Sequence, residues 1–167
     1  MTEDQNLIQW IYSSKNEQEL EERYDQWASN YEKNMAEDFG WFGPPESVDA
    51  AVKYVSKDAR ILDAGAGTGL VGQLLNEQGY QKLVAMDLSE GMLEQARQKH
   101  VYGEFHQMVM GETLDFPTDS FDAAISSGVL TVGHAPASSL HELVRVVRSG
   151  GHIIFTLRPD LYEDGGF

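Results

Sequence analysis

The sequence predicts an α/β fold, with a doubly wound and mainly parallel sheet that carries helices on both faces. Short apolar runs alternate with helical patterns of roughly ten residues, which is the spacing of right-handed βαβ units. A glycine-rich loop follows the first apolar run, at the carboxyl end of a strand, where folds of this class bind ligands. The chain has 167 residues, which suits one main domain.

Five strands are predicted from short runs that are rich in apolar side chains. They cover residues 60–63, 83–87, 105–109, 121–126 and 152–157. Helices are expected between them, where apolar residues recur three and four positions apart. Ser47 and Ser89 are expected to cap two of these helices, and Gly79 is expected to end the helix over 70–78.

The last helix is predicted to begin at Pro136, because proline fits the first turn of a helix. Its inward face is predicted from apolar spacing, and consists of Leu140, Leu143, Val144 and Val147. The pair Gly150-Gly151 is expected to stop this helix before the final strand.

Residues 1–45 are predicted to form an acidic helical arm, and residues 46–167 the main domain. Tyr24, Trp27 and Tyr31 are spaced three and four residues apart, which places their rings on one side of a helix. This aromatic stripe either docks the arm on the main domain or covers a ligand. A loop is expected over 39–45, where two glycines and two prolines occur.

The composition excludes several classes of function. The chain has 27 acidic and 12 basic side chains and a net charge of -15, which argues against binding to nucleic acid or to an anionic membrane. No signal peptide or membrane-spanning segment is recognised, so a cytoplasmic protein is expected. With no cysteine, disulfides and thiolate metal sites are ruled out, and the five histidines do not suggest a metal site.

The glycine loop, DAGAGTG from Asp63 to Gly69, has two candidate ligands. Gly67 to Gly72 matches G-x-G-x-x-G, and Asp87 lies about 20 residues downstream, so a dinucleotide-dependent oxidoreductase is one possibility. A pyrophosphate would, however, meet the negative charge of Asp63. S-adenosylmethionine instead carries an ammonium and a sulfonium group, which Asp63 attracts. The charge at this position therefore favours S-adenosylmethionine.

Four sequence segments follow one another along the chain: ILDAGAGTGLVGQLL, VAMDLSEGMLEQAR, LDFPTDSFDAAISSGVL and ELVRVVRSGGHIIFTLR. Over about residues 47–158, the chain thereby resembles a class I S-adenosylmethionine-dependent methyltransferase with a type 11 domain. The words YDQWASNYEKNM and SSGVLTVGHAP resemble the methyltransferase-like proteins named after the Williams-Beuren syndrome chromosome region. The resemblance implies a Rossmann-like sheet, an S-adenosylmethionine cofactor and a methyl acceptor, for which a small molecule is the leading hypothesis.

The resemblance also implies roles for single residues around the glycine loop. Gly65 and Gly67 would line the methionine and ribose portions of the cofactor, and Asp63 would face its ammonium group. Asp87 would accept hydrogen bonds from the ribose hydroxyls. Ser127 would offer its backbone carbonyl to the ammonium.

The adenine end of the cofactor is expected to lie against Leu88 and Met92, whose side chains are apolar. The family often has an acidic side chain after strand 3 that binds the adenine amine, and this chain has methionine and valine there. Glu112, or the backbone around Met110 and Gly111, is therefore expected to take over this contact.

Tyr24 and Tyr31 resemble the lid of the family, in which a phenol closes over the cofactor. Methyl transfer is an in-line displacement that depends on orientation and a dry cavity. A general base is needed only for an acceptor that keeps its proton until late, and His134 is the candidate. A module that binds the cofactor without catalysis is the alternative from another class.

Family members continue past strand 5 with a helix and an antiparallel pair of strands, in the sheet order 3-2-1-4-5-7-6. This sequence ends shortly after strand 5, so the expected order is 3-2-1-4-5 with strand 5 as an open edge. A truncated chain, a natural short form and a homo-oligomer that covers this edge are the three explanations.

Overall fold

A computed structural model describes residues 3–38, 42–131, 134–157 and 162, with the side chains of 3–6 and 36–38 left out of the description. Its five strands form one parallel sheet in the order β3-β2-β1-β4-β5, which confirms the doubly wound α/β prediction. The strands are β1 Arg60–Ala64, β2 Lys82–Asp87, β3 Glu104–Gln107, β4 Phe121–Leu130 and β5 Val147–Leu157.

Seven α-helices are described. They are α1 Glu3–Tyr12, α2 Glu17–Trp27, α3 Tyr31–Asp38, α4 Gly43–Tyr54, α5 Leu70–Glu77, α6 Glu90–Arg97 and α7 Ser139–Val146. A single 3-10 turn, Ala28–Asn30, joins α2 to α3. The first three helices form the acidic arm, and the other four accompany the sheet.

The central strands bury both of their faces, which is why they are continuous apolar runs. Ile61 and Leu83 pack into one core with helices α4 and α5. Their neighbours Leu62 and Val84 point to the other face and pack with Leu143 of α7. This alternation follows from the two-residue period of a strand, and it fixes the register of β1 against β2.

The start of α4 differs from the prediction. Ser47 is not the N-cap: it is buried inside the helix, and its Oγ donates a hydrogen bond to the carbonyl of Gly43 at 2.7 Å. The helix instead begins at Gly43, with prolines in its first turn. Proline is tolerated there because the first N–H groups of a helix have no partner within the helix. Residues 39–41 of the predicted loop lie outside the described residues.

The end of α7 also differs. The helix stops at Val146, and Gly150 and Gly151 belong to β5. Val144, predicted to face inward, is 62% exposed. The extra residues form an irregular segment in the pairing of β4 with β5, where Gly150 has a φ of +77°. A glycine pair can therefore mark a bulge as well as a helix end.

Two predicted boundary residues are confirmed. The Oγ of Ser89 accepts a hydrogen bond from the N–H of Met92 at 3.0 Å, as an N-cap does. Gly79 follows the end of α5 with a φ of +93°, the left-handed conformation of a helix terminator. These local signals succeed because each depends only on residues within one turn.

The aromatic stripe of the arm spans two helices and the turn between them. Tyr24 and Trp27 end α2, and Tyr31 begins α3, so the single continuous helix assumed from the spacing is wrong. The rings still contact each other, with centroids 6.2 Å apart for Tyr24 and Trp27 and 4.8 Å apart for Trp27 and Tyr31.

The arm is attached to the start of α6. The carboxylate of Asp25 accepts hydrogen bonds from the Oγ of Ser89 and from the N–H of Gly91, the latter at 2.8 Å. A carboxylate at the N-terminus of a helix is also favoured by the helix dipole. The division of the chain into arm and main domain at residue 45 stays a prediction.

β5 is the outer strand of the described sheet, next to β4. The expectation of an edge at strand 5 agrees with this order, whereas association of two copies across that edge stays a prediction. Across the described ranges, no helix is both long and apolar enough to cross a membrane.

Candidate functional site

A cavity of about 410 Å³ lies between the arm and the carboxyl ends of β1, β2 and β4. Its volume is in the range of small-molecule sites. The glycine loop, the end of β2, the segment after β3 and the end of β4 form its walls, and the arm covers it. This is where a doubly wound sheet places its ligands, because the strand order reverses there.

The glycine loop lets the backbone form the cavity wall. Gly65 has a φ of +81°, and a Cβ at this position would lie 2.2 Å from Cγ2 of Val129. Gly67 has a φ of +55°, and nothing lies within 4 Å of where its Cβ would be. The first glycine thus allows close packing against β4, and the second leaves open space for a ligand.

Asp87 is the carboxylate that faces this loop. Its Oδ2 accepts a hydrogen bond from the N–H of Gly67 at 2.7 Å, and its Oδ1 accepts one from the N–H of Ser89 at 3.0 Å. Burial raises the pKa of Asp87 above its usual value, and the backbone N–H groups partly offset that shift. Each carboxylate oxygen can accept a further bond, so the side chain can also bind the hydroxyls of a ribose.

Asp63 does not line this cavity. It is 1% exposed, and its Oδ2 accepts a hydrogen bond from the hydroxyl of Tyr102 at 2.5 Å. Within the described part of the chain, its Oδ1 has no partner. Burial raises the pKa of Asp63 to about 7. The observed partner of Asp63 is thus Tyr102, and the predicted contact of Asp63 with an ammonium group stays a prediction.

Tyr102 accounts for the last glycine of the G-x-G-x-x-G pattern. The hydroxyl of Tyr102 accepts a hydrogen bond from the N–H of Gly72 at 3.1 Å. A Cβ on Gly72 would lie 2.2 Å from Tyr102, so this position needs a glycine for packing. Gly72 therefore serves packing, a role that the third glycine also has in dinucleotide-binding loops.

The apolar walls agree with the predicted adenine side of the site. Leu88 and Met92 line the cavity, as does Met110 from the segment after β3. Gly111 and Glu112 do not line it. The wall is completed by residues that the sequence analysis did not assign: Met108, Val109 and Val129. The apolar character of the segment after β3 and of the end of β4 was the available signal.

The arm contributes Tyr24 and Tyr31 to the cavity wall, as the lid interpretation expects. The hydroxyl of Tyr24 lies 2.5 Å from Nε2 of His134, in the segment after β4. Burial raises the pKa values of both phenols above their usual range. The ring of Tyr12 meets His134 edge-on, with centroids 5.2 Å apart. His134 is thus held at the cavity by the arm.

Ser127 lines the cavity at the end of β4. Its Oγ is buried, and no hydrogen-bond partner for it exists among the residues that the structure describes. A buried hydroxyl is costly to leave without a partner. No cluster of three metal-ligating side chains occurs in the described ranges.

The profile of the methyltransferase domain family matches residues 62–155. The human methyltransferase-like protein 27 is 34% identical over 141 residues, which cover 82% of this chain and 57% of that protein. The 18S rRNA (guanine-N(7))-methyltransferase of Bos taurus is 33% identical over 118 residues, covering 64% of this chain and 42% of that protein. The chain thus spans about half the length of these relatives.

The fold is shared with solved structures. A putative S-adenosylmethionine-dependent methyltransferase from Methanococcus maripaludis superposes with a TM-score of 0.65 at 19% identity. The match covers 78% of this chain and 63% of the other chain. The segment matched by the family profile includes the whole sheet edge that forms the cavity.

Proposed function

The chain belongs to the family of S-adenosylmethionine-dependent methyltransferases, and from this membership we propose that it transfers a methyl group from S-adenosylmethionine to a small-molecule acceptor. The observation that carries the proposal is the position of Asp87. Its carboxylate lies beside the open glycine Gly67 and next to apolar walls, a combination that suits a ribose with an attached base.

The proposed contacts follow from the chemistry of the lining. Asp87 accepts hydrogen bonds from the ribose hydroxyls, and Leu88 and Met92 pack against the adenine ring. Because Glu112 does not line the cavity, we assign the adenine amine to the backbone near Met110. The methionine portion would pass Gly65 and end near Ser127, both of which line the cavity.

When bound, S-adenosylmethionine supplies a methyl group on a cationic sulfur, which an acceptor lone pair attacks in line. The chain itself orients both partners and excludes water, with the aromatic arm as the cover. For an acceptor hydroxyl, Tyr24 accepts the acceptor's proton and passes its own proton to Nε2 of His134, 2.5 Å away. The net result is a methylated acceptor and a protonated histidine.

Three alternatives make different predictions. The dinucleotide alternative predicts that NADH binds, whereas the family to which the chain belongs favours S-adenosylmethionine. An RNA acceptor is suggested by the bovine relative, but a net charge of -15 opposes the contacts with phosphates on which RNA binding depends. A non-catalytic binding module would share the cofactor site and lack turnover.

Calorimetric titration with S-adenosylmethionine, S-adenosylhomocysteine and NADH tests the cofactor assignment. We expect the first two to bind and NADH not to. Asp87→Asn should weaken S-adenosylmethionine by about 1.5 to 3 kcal/mol, or roughly 10- to 150-fold, since it removes charge-assisted hydrogen bonds. The exposed Asp115→Asn makes the same charge change elsewhere and should leave the affinity unaltered.

The result that overturns the assignment is tight binding of NADH alone, or equal affinity in wild type and Asp87→Asn. Methyl transfer to a panel of small molecules and to RNA, followed by mass spectrometry, then distinguishes an enzyme from a binding module. Transfer to RNA only would contradict the small-molecule proposal.

A further inference from the structure

We infer that a second cavity, adjoining the first, binds the methyl acceptor and selects a neutral, mainly apolar small molecule that carries one hydrogen-bonding group. This inference rests on the proposed function and adds the substrate class. The second cavity has a volume of about 300 Å³ and lies between the arm and the ends of β4 and β5.

The two cavities share part of their walls. Tyr24, Tyr31 and Gly128 line both of them. A molecule in the second cavity would therefore lie next to a molecule in the first, with the two phenols in contact with both. Such an arrangement allows an acceptor to approach the reactive end of the cofactor while water is kept out by aromatic side chains.

The lining of the second cavity is almost entirely apolar or aromatic. The arm contributes Ile8, Ile11 and Trp27, and the strand ends contribute Leu130 and Leu157. None of its described lining residues is Asp, Glu, Lys or Arg. Moving a charged ligand from water into such a space without a partner costs far more than moving a neutral one.

One hydroxyl in this wall lacks a partner. Thr131 is 7% exposed, and no atom of the described chain hydrogen-bonds to its buried Oγ1. The other threonine of the cavity, Thr156, already accepts a hydrogen bond from the N–H of Gly128 at 2.7 Å. This oxygen is shielded from the cavity in the described conformation, so Thr131 would bind a polar group of the acceptor after its side chain rotates, and its hydroxyl could then serve as donor or acceptor.

These observations define the acceptor by its chemistry. Its body is apolar or aromatic, and a hydroxyl or carbonyl reaches Thr131. Its nucleophilic atom lies near Tyr24, whose hydroxyl contacts His134 on the side of the cofactor cavity. A phenol-like molecule satisfies all three conditions. An amino acid or a phosphorylated metabolite does not, because it would bring charged groups into a cavity whose described lining is uncharged.

Three naphthalene probes that differ in charge test the inference: 2-naphthol, 2-naphthoate and 2-naphthylmethylammonium. Each is titrated by calorimetry into the full chain saturated with S-adenosylhomocysteine, so that the first cavity is filled. We expect 2-naphthol to bind, and both charged probes to bind at least about tenfold more weakly.

Two variants locate the bound probe. Thr131→Val removes the unpartnered hydroxyl at nearly constant shape and should weaken 2-naphthol several-fold, whereas the exposed Thr118→Val should not. Met35→Trp replaces the flexible side chain of Met35 with a bulkier indole ring in the second cavity and should abolish 2-naphthol binding. Retained affinity for S-adenosylhomocysteine shows that each variant is folded.

The outcomes separate the two proposals. If S-adenosylhomocysteine binds but 2-naphthol does not, or if both variants bind 2-naphthol as wild type does, the acceptor site is wrong and the proposed function stands. Preferred binding of a charged probe overturns the neutral class. If S-adenosylhomocysteine itself fails to bind, the proposed function is refuted.

Discussion

The buried carboxyl of Asp63 makes the stability of this fold depend on pH, in the direction opposite to that of an ion-paired surface carboxylate. Burial raises the pKa of Asp63 to about 7, whereas an aspartate in an unfolded chain has a pKa near 3.9. Between these two values the folded chain holds a proton that the unfolded chain has released. The stabilising contribution is therefore complete below about pH 4 and is lost as the pH rises through 7.

The size of the effect follows from the same two pKa values. About two pH units separate pH 5 from the folded pKa, and each unit corresponds to about 1.4 kcal/mol. Raising the pH from 5 to 8 should thus lower the free energy of unfolding by about 2.7 kcal/mol through this group. At pH 8 the ionised carboxylate remains buried, with the hydroxyl of Tyr102 as its hydrogen-bond donor.

Urea unfolding of wild type and Asp63→Asn at intervals from pH 5 to 8 measures this contribution. The free-energy difference between the two proteins should shift by about 2.7 kcal/mol in favour of the variant as the pH rises, while other titrating groups cancel. Asp122→Asn is the control: the backbone N–H of Arg60 and the side chain of Arg148 lower the pKa of Asp122, so its difference curve should be flat. Parallel curves for wild type and Asp63→Asn would refute the reasoning.

Two further comparisons test the loop and the arm. Gly65→Ala should lower the free energy of unfolding by about 2 to 5 kcal/mol, because the strain of a positive φ adds to the overlap with Val129 of β4. Gly67→Ala should lower it by only about 1 to 2 kcal/mol, because only the strain applies. Similar losses for the two variants in urea unfolding would contradict the close approach of Gly65 to β4. Ser89→Ala should cost about 1 kcal/mol through the lost helix cap. Combined with Asp25→Ala in a double-mutant cycle, it should show a coupling of at least about 0.5 kcal/mol, and strict additivity would mean that this contact does not hold the arm.

Much of the fold could be predicted because its signals are short in range. The runs that became β1 and β2 are apolar on both faces, so neighbouring residues alone identify them as buried parallel strands. The cap at Ser89 and the terminator at Gly79 likewise depend on one helical turn. The glycine loop was found for the same reason, since its conformation is set by its own residues.

The errors arose where a local pattern was compatible with more than one helix boundary or face. Ser47 has the side chain of a good N-cap, but the prolines before it had already started the helix. Val144 follows the helical spacing, yet it lies on the exposed side of α7, opposite the buried Leu143 and Val146. In both cases the spacing of apolar or capping residues alone did not decide between the two arrangements.

The contacts of the site were harder to predict than the helix boundaries, because they join residues that are far apart in sequence. Tyr102 reaches Asp63 across 39 positions, and Tyr24 reaches His134 across 110. The charge of Asp63 was used to choose a ligand for the loop, but its observed partner is a phenol. Asp87 is the carboxylate of the cavity wall that faces the glycine loop, so the expectation of a ribose-bearing ligand now depends on that residue. The glycine motif predicts the backbone conformation of the loop. Which ligand binds there depends on the side chains that tertiary packing places next to the loop.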